Sequence, residues 1–434
     1  MMMNKISLQN SLVFIFCIIA NGCGDVRTES NVTESIQSSN DTSCVIALSS
    51  HAGEKQSDID IQKYQKASTG DGIKVNQLEN LGWAYVNKAK ESFDPGFYKL
   101  AEQTVVCMNQ HQETTLAALL LQGHILQNLH RFKQAEVIAR QLVEKRGYWH
   151  DYGLLGDTLM EQGELTAAIT AYQEMMNQNP GPQAYNRAAY IRWLTGDVEG
   201  AIELLNLSVR SHAGKNNNSL AWTLTRIADY QFQSGRIDFG LKYINAVLRK
   251  QPDYAPALLV QGRIKMALGL NEKAVAIFSR ALELNPLPEY RWELIEALSN
   301  DDGTQETRAK LELKLFQTGA VEDKRTYALY LANFGIDTEK AVQLAKQEIE
   351  NRHDVFTLDT LAWALRSNNQ LEAAKSYSKQ ALKEGTRSAR LYYHAAVIAS
   401  EVGEKPEAKR LFQLAKELEI SLLPSERKHL NQLL

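Results

Sequence analysis

Apolar residues in the stretch 259–286 recur at helical spacing in two separate runs. In the second run, Ala274, Phe278 and Ala281 follow the spacing of one face of an amphipathic helix. Gly269 interrupts the pattern before this run, and Pro286 cannot continue the helix after it. The stretch therefore predicts a helical hairpin in which glycine forms the turn and small residues let the two helices approach closely.

The same hairpin pattern recurs along the chain. Pairs of Gly or Ala twelve positions apart begin at residues 123, 156, 189, 228, 262, 362 and 396. Most of these starts are separated by 33 or 34 residues, and the interval of 100 residues between Gly262 and Ala362 leaves room for two degenerate repeats. Six of the seven inner turns have a residue suited to a left-handed conformation, at Gly163, Gly196, Gly235, Gly269, Gly403 and Asn369. This regular frame predicts a repeat array.

The repeat resembles the tetratricopeptide repeat, a helix-turn-helix unit of about 34 residues. One unit matches that family's pattern at Leu258, Gly262, Ala274, Phe278, Ala281 and Pro286. Another matches it at Tyr152, Leu155, Gly156, Ala168, Tyr172 and Pro180. The resemblance covers about residues 76–420. It implies an all-α solenoid, a right-handed superhelix of about nine units, with residues 421–434 as a C-terminal cap.

Two segments depart from the repeat. Gly82 and Ala101 of the first unit are nineteen positions apart, which predicts either a longer helix pair or a seven-residue insertion. The polar stretch 211–219 lengthens the unit after Ala189 and predicts a loop.

The length and the charge of the chain limit its domain organisation and its possible partners. A chain of 434 residues can hold two or three globular domains, but repeats pack on their neighbours and need no central core. One continuous solenoid is therefore the better interpretation. The formal net charge of −3 and the absence of a basic run disfavour nucleic acid as a partner.

The N-terminus has the pattern of a secretory signal peptide at residues 1–22. Lys5 precedes an apolar run from Leu12 to Ala20, and small residues follow. Gly22 and Cys23 resemble a bacterial lipoprotein box, in which the cysteine becomes lipidated, although ordinary signal peptidase cleavage also fits. Lipidation of Cys23 predicts a membrane-anchored protein of the bacterial cell envelope, facing the periplasm or the exterior. Residues 23–75 are rich in Ser, Asn, Thr and Asp and predict a flexible tether, and a short structured piece around Cys44 to Leu48 also fits the sequence.

The mature chain would contain Cys23, Cys44 and Cys107. Lipidation of Cys23 would leave an even number of thiols, which favours the lipoprotein interpretation in an oxidising compartment. A Cys44–Cys107 disulfide and two unpaired cysteines, with Cys107 buried in a helix, both fit the sequence.

The sequence contains no HExxH, P-loop, GxSxG, GxGxxG or CxxC motif. The His-Asp neighbours His150-Asp151 and His353-Asp354 do not make a site by themselves, because adjacent positions of a helix point in different directions. The sequence thus predicts no catalytic residue, no metal site and no cofactor, and a protein that is not an enzyme.

The resemblance to tetratricopeptide repeats implies a concave groove lined by the first helix of each unit, which holds a peptide or a partner protein. The groove positions carried onto this chain supply the candidate binding residues Tyr190, Trp193, Trp222, Asp229, Phe232, Arg263, Tyr290, Phe356, Asp359, Trp363 and Arg366. Trp193, Trp222 and Phe232 would form the centre of the site, and Trp363 a second contact. Packing between neighbouring first helices is the alternative role for each of these aromatics. The family's Lys and Asn clamp for a free C-terminal carboxylate is not present in these units.

Three functions remain open on the sequence. The favoured one is a non-enzymatic interaction scaffold of the bacterial cell envelope that binds a protein or peptide in its groove. The second is an accessory factor of polysaccharide or cell-wall machinery, with glycan on the aromatic groove. The third is an enzyme with an unrecognised site.

Overall fold

The computed structural model describes residues 42–69, 73–212, 217–298 and 302–434, and these ranges contain helices and no strand. The helices are α1 (42–47), α2 (Gln56–Ser68), α3 (Val75–Ser92), α4 (Gly96–His111), α5 (Leu116–Asn128), α6 (Phe132–Lys145), α7 (Trp149–Glu161), α8 (Leu165–Gln178), α9 (Pro182–Leu194), α10 (Val198–Ser211), α11 (Asn217–Gln233), α12 (Ile237–Lys250), α13 (Ala255–Ala267), α14 (Asn271–Leu284), α15 (Pro288–Leu298), α16 (Gln305–Glu322), α17 (Lys324–Phe334), α18 (Thr338–Ile349), α19 (Val355–Ser367), α20 (Leu371–Ala381), α21 (Ala389–Glu401), α22 (Lys405–Glu417) and α23 (Pro424–Leu433). Short 3₁₀ turns lie at Asp302–Thr304 and Glu419–Ser421.

Helices α3 to α22 pair consecutively as helical hairpins, each odd-numbered helix packing on the even-numbered one that follows. The all-α solenoid expected from the sequence is confirmed. The expected turn residues all have positive φ angles, at Gly163, Gly196, Gly235, Gly269, Gly403 and Asn369. The two degenerate units also form helix pairs, α15–α16 and α17–α18. In the first unit the spacing reflects long helices, since α3 has 18 residues and α4 has 16.

The small residues of the repeat make room for an aromatic ring from the second helix. A Cβ atom added to Gly262 would lie 2.4 Å from Phe278 Cε1, and one added to Gly156 would lie 2.3 Å from Tyr172 Cε1. Phe278 is fully buried in this position. Close packing of this kind leaves no space for a methyl group unless the ring moves.

The structure corrects the predicted tether over residues 42–69. These residues form α1 and α2, and α2 packs on α3 with Ile61 fully buried. Gln65 Nε2 donates to the hydroxyl of Tyr85 over 2.9 Å, and Asp58 forms an ion pair with Lys88 over 2.6 Å. Polar composition predicted flexibility here, but a few apolar residues and these buried polar contacts are enough to dock the segment.

A disulfide joins Cys44 of α1 to Cys107 of α4. It links segments 63 positions apart and resolves the alternative that the sequence left open. The predicted signal peptide, the lipidation site Cys23 and part of the polar stretch 211–219 lie outside the described residues. Among the described helices, none is long and apolar enough to cross a membrane.

The superhelix closes on itself. The backbone N–H of His353, after α18, donates to the carbonyl of Glu161 at the end of α7 over 2.8 Å. Arg352 forms an ion pair with Glu161 over 2.7 Å. A second contact joins the next hairpins: the hydroxyl of Thr386, after α20, donates to the carbonyl of Leu194 at the end of α9 over 2.6 Å. Hairpins far apart in sequence therefore meet directly, and the concave face becomes the wall of a cavity.

The C-terminal segment packs across the inner helices. The 3₁₀ turn Glu419–Ser421 contacts α11, α13 and α21. Ser425, at the start of α23, donates from its hydroxyl to Glu296 of α15 over 2.6 Å. This segment completes one side of the cavity.

Candidate ligand cavity

The interior of the closed superhelix is a cavity of about 1920 Å³. Its walls consist mainly of residues of the first helices of successive hairpins, with residues of loops, of a few second helices and of the C-terminal segment. Eight of the predicted binding residues line it: Tyr190, Trp193, Trp222, Asp229, Phe232, Arg263, Phe356 and Asp359. Tyr290, Trp363 and Arg366 lie outside its lining. The repeat positions thus identified cavity-lining residues in eight of eleven cases.

Trp193 is part of an aromatic cluster that helps to close the superhelix. Its ring stacks on Tyr230 at 5.2 Å between centroids, and on Tyr190 and Phe356 at 5.8 and 5.7 Å. We call these four residues the closing cluster. Only 6% of Trp193 is exposed. Its main role in the structure is therefore to hold α9 against α11 and α19, and it offers little surface to a ligand.

Two other predicted aromatics are also covered by neighbouring helices. Phe232 is 3% exposed and packs in a core of α11, α12 and α13 residues. Trp363 is 2% exposed and stacks on His394 at 4.0 Å between ring centroids. Arg366 covers its ring at 4.8 Å and pairs with Glu401. Phe232 and Trp363 pack between neighbouring helices, the alternative role that the sequence left open.

Trp222 differs from these aromatics because 39% of it is exposed, and it faces the cavity. The guanidinium of Arg226, one turn farther along α11, lies 5.3 Å from its ring centroid. Such a cation–π contact orients both side chains. Trp222 is therefore the candidate aromatic that presents a broad surface to a ligand.

A family model described as tetratricopeptide repeat matches residues 153–216 and 225–287. The fold is a tetratricopeptide-repeat solenoid. No curated protein matches the chain by sequence. Among similar solved structures, the human IFIT1 dimer with PPP-AAAA is 12% identical, with a TM-score of 0.46 over 85% of this chain and 96% of that chain. A tetratricopeptide repeat protein from Parabacteroides merdae is 18% identical, with a TM-score of 0.32 over 58% of this chain and 98% of that chain.

Ion pairs stiffen the inner wall of this tetratricopeptide solenoid. Arg187 of α9 reaches Asp157 of α7 through two hydrogen bonds of 2.6 and 2.7 Å, and the hydroxyl of Tyr172 donates to the same carboxylate over 2.8 Å. Burial alone would raise the pKa of Asp157, but Arg187 and Tyr172 lower it, so the carboxylate is held ionised. Arg263 similarly joins Glu289 and Glu293, each over 2.6 Å.

Sequence reasoning missed Arg187 and Arg226. Each follows an inner-face position of a repeat by one residue, and they are 39 positions apart, the same spacing as Ala189 and Ala228. That recurrence was the available signal. The groove positions of the repeat did not include these two arginines. A long arginine side chain can nevertheless reach into the cavity from the neighbouring position.

The two His-Asp neighbours have structural roles in the solenoid. Asp151 bonds to Arg146 over 2.5 Å, and His150 stacks on Trp149. Asp354 accepts from the backbone N–H of Phe356 over 2.8 Å and caps α19.

One group of possible metal ligands occurs in the part of the chain that the structure describes, and it consists of Cys44, Cys107 and His111. The two cysteines are joined in a disulfide, so neither supplies the thiolate that binds metal.

Proposed function

We propose that the protein is a non-enzymatic scaffold of the bacterial cell envelope that binds an extended polypeptide inside its closed superhelix. The observation that carries the proposal is the cavity of about 1920 Å³ with Trp222 exposed on its wall. This volume exceeds the range of about 300–1,000 Å³ that is typical of small-molecule sites. It suits several residues of an extended chain.

The polar groups of the lining support a peptide ligand. Gln183, Asn186, Gln233 and Gln251 line the cavity, and amide side chains can both donate to and accept from a peptide backbone. Trp222 adds a stiff apolar face for a side chain of the ligand. Together these groups provide the mixture of apolar contact and hydrogen bonding that peptide recognition uses.

The glycan alternative has less support. Stacking on sugar rings needs exposed aromatic faces, and of the three aromatics expected at the centre of the site, Trp193 and Phe232 are buried. One exposed tryptophan is a weaker platform for a polysaccharide than the predicted aromatic stripe.

Two features support a location in the envelope. The segment before Cys23 has the pattern of a lipoprotein signal, and the Cys44–Cys107 disulfide suits an oxidising compartment. A single acyl chain binds membranes marginally, so a stable anchor needs the several chains that lipoprotein processing attaches.

Cell fractionation tests the anchor. We expect wild-type protein in the membrane fraction with incorporated lipid label, and Cys23→Ser protein either soluble or blocked in maturation. Membrane retention and lipid labelling that are unchanged in Cys23→Ser would contradict the anchor.

Selection from a displayed library of random decapeptides tests the binding function. Wild-type protein should enrich a set of related peptides, and Trp222→Ala should lose about thirtyfold in affinity for them, the cost of a binding hot spot of about 2 kcal/mol. Phe239→Ala is the matched control, because Phe239 is exposed but does not line the cavity. Failure of the wild-type protein to enrich peptides would reject the proposed function, and equal peptide binding by all three proteins would reject Trp222 as part of the binding site.

A further inference from the structure

The carboxylates of the cavity are already engaged. The lining contains eleven Asp or Glu side chains, and each accepts a hydrogen bond or forms an ion pair with another described residue. A ligand cation would therefore have to share these carboxylates with existing partners, and Glu293 keeps one buried oxygen, Oε2, without a hydrogen bond from any described residue.

Some Lys and Arg side chains of the lining have no hydrogen-bond or ion-pair partner in the part of the chain that the structure describes. Arg187 and Arg263 each make two close contacts with carboxylates. Lys90 and Arg427 also line the cavity, and the structure gives their side chains no hydrogen-bond or ion-pair partner among the described residues. Lining side chains without a described partner thus include cations, although acidic residues outnumber basic ones in the lining as a whole.

Arg226 is the best placed of the available cations. Its contact with Asp229 is 3.5 Å long, at the outer limit of a hydrogen bond. The same oxygen of Asp229 accepts a shorter bond of 3.0 Å from Gln233. The guanidinium has five N–H donors, so most of them remain free, and 36% of its side chain is exposed.

The surroundings of Arg226 hold it in one orientation. Its guanidinium lies between the rings of Trp222, at 5.3 Å, and Tyr230, at 5.9 Å. A guanidinium packed on aromatic rings keeps its planar fork of donors available for a carboxylate. We call Trp222 and Arg226 together the α11 subsite.

We propose that the α11 subsite receives a carboxylate of the bound peptide, which Arg226 binds through paired hydrogen bonds while Trp222 packs against the neighbouring residue of the peptide. This inference rests on the proposed function. The lining as a whole carries nine Lys or Arg and eleven Asp or Glu residues. A polyanion such as nucleic acid would meet net negative charge there, whereas one or two carboxylates fit a single weakly paired arginine.

The test uses the full mature protein and the same decapeptide selection. Wild-type protein should enrich peptides with Asp or Glu at a fixed position, and Arg226→Gln should lose that preference and bind the selected peptide about tenfold or more weakly. Arg226→Glu should shift the preference toward Lys or Arg. Arg140→Gln, which removes an exposed arginine outside the cavity, should behave as wild type.

Paired synthetic peptides identify the source of the carboxylate and do not depend on any variant folding. Replacing the acidic residue of the selected peptide by its amide should weaken binding to wild-type protein if a side chain supplies the carboxylate. Amidation of the C-terminus should weaken binding if the terminus supplies it.

Several results would overturn the inference. Enriched peptides whose binding to wild-type protein depends on neither carboxylate would overturn it and leave the proposed function standing. Arg226-dependent binding of a single-stranded RNA oligonucleotide without enrichment of peptides would overturn both. Failure of the wild-type protein to enrich any peptide would also overturn both.

Discussion

At the scale of single residues, burial decides which inner-face aromatics can bind a ligand. Trp193 and Trp222 occupy inner positions of adjacent repeats, yet one is 6% exposed and the other 39%. The repeat pattern predicts the face on which a side chain lies. It does not predict whether a distant hairpin covers that side chain, as α19 covers Trp193 through Phe356.

We therefore expect Trp193→Ala and Trp222→Ala to have opposite effects. Trp193→Ala should destabilise the protein by about 3–5 kcal/mol, because it removes a buried ring from the closing cluster. Trp222→Ala should leave the melting temperature nearly unchanged and weaken peptide binding. Thermal unfolding followed by circular dichroism gives the stability comparison, and equal losses of stability in the two variants would contradict the assignment.

Asp58 makes the docking of α2 dependent on pH. Burial would raise the pKa of Asp58, but hydrogen bonds from Lys88, His51 and the backbone of Lys55 outweigh burial and lower the pKa to about 2 from its ordinary value of 3.8. Because the folded pKa lies below the unfolded one, this stabilisation is present above about pH 4 and is lost as the pH falls toward 2.

Hydrogen exchange of α2 amides at pH 5 and pH 3 should therefore show less protection at the lower pH. In Asp58→Asn, whose side chain cannot ionise, the α2 amides should be less protected at pH 5 than in the wild type. Their protection should also fall less between pH 5 and pH 3. If protection of the α2 amides falls between pH 5 and pH 3 by the same amount in Asp58→Asn as in the wild type, Asp58 does not have this role.

At the scale of helices, the sequence predicted most of the structure. The left-handed turns and the small residues twelve positions apart follow from local sterics, and local sterics are visible in a sequence. The predicted tether failed at α1 and α2 because their positions depend on residues of other helices: Cys107 holds α1 through the disulfide, and Tyr85 and Lys88 contact α2. Sequence composition does not report such contacts.

The contact between Gly262 and Phe278 gives a test of hairpin packing. Gly262→Ala should destabilise the protein by about 1–3 kcal/mol, because the new methyl group overlaps a buried ring. Phe278→Leu relieves the overlap, so the double variant should lose less stability than the two single losses added together. Additive losses, measured by chemical denaturation, would show that the ring does not limit the approach of α13 and α14.

At the scale of the whole molecule, the decisive feature is the closure between distant hairpins. The path of a solenoid accumulates from small rotations between neighbours, so the repeat pattern alone does not predict which hairpins meet after one turn. Arg352 joins the two sides through Glu161 at 2.7 Å, and it also lies 5.3 Å from the ring of Phe132.

Arg352→Ala should open the superhelix without unfolding its hairpins. We expect a larger radius of gyration in small-angle X-ray scattering, faster amide exchange around residues 161–163 and 353–356, and an unchanged helical circular dichroism signal. Arg140→Ala, which breaks an exposed ion pair with Glu136 within α6, is the control. A scattering profile identical to that of the wild type would contradict the role of Arg352 in closure.

The central claim is that a polypeptide partner binds inside the closed superhelix, and site-specific photo-crosslinking in the source organism tests it most directly. A benzophenone amino acid is placed at Gln183, which lines the cavity, and separately at Phe239, which is exposed outside it. Mass spectrometry of the digested adducts should find a recurrent peptide at position 183 and none at position 239. Peptide adducts confined to position 239, or adducts at position 183 that contain glycan or nucleic acid instead of peptide, would contradict the account.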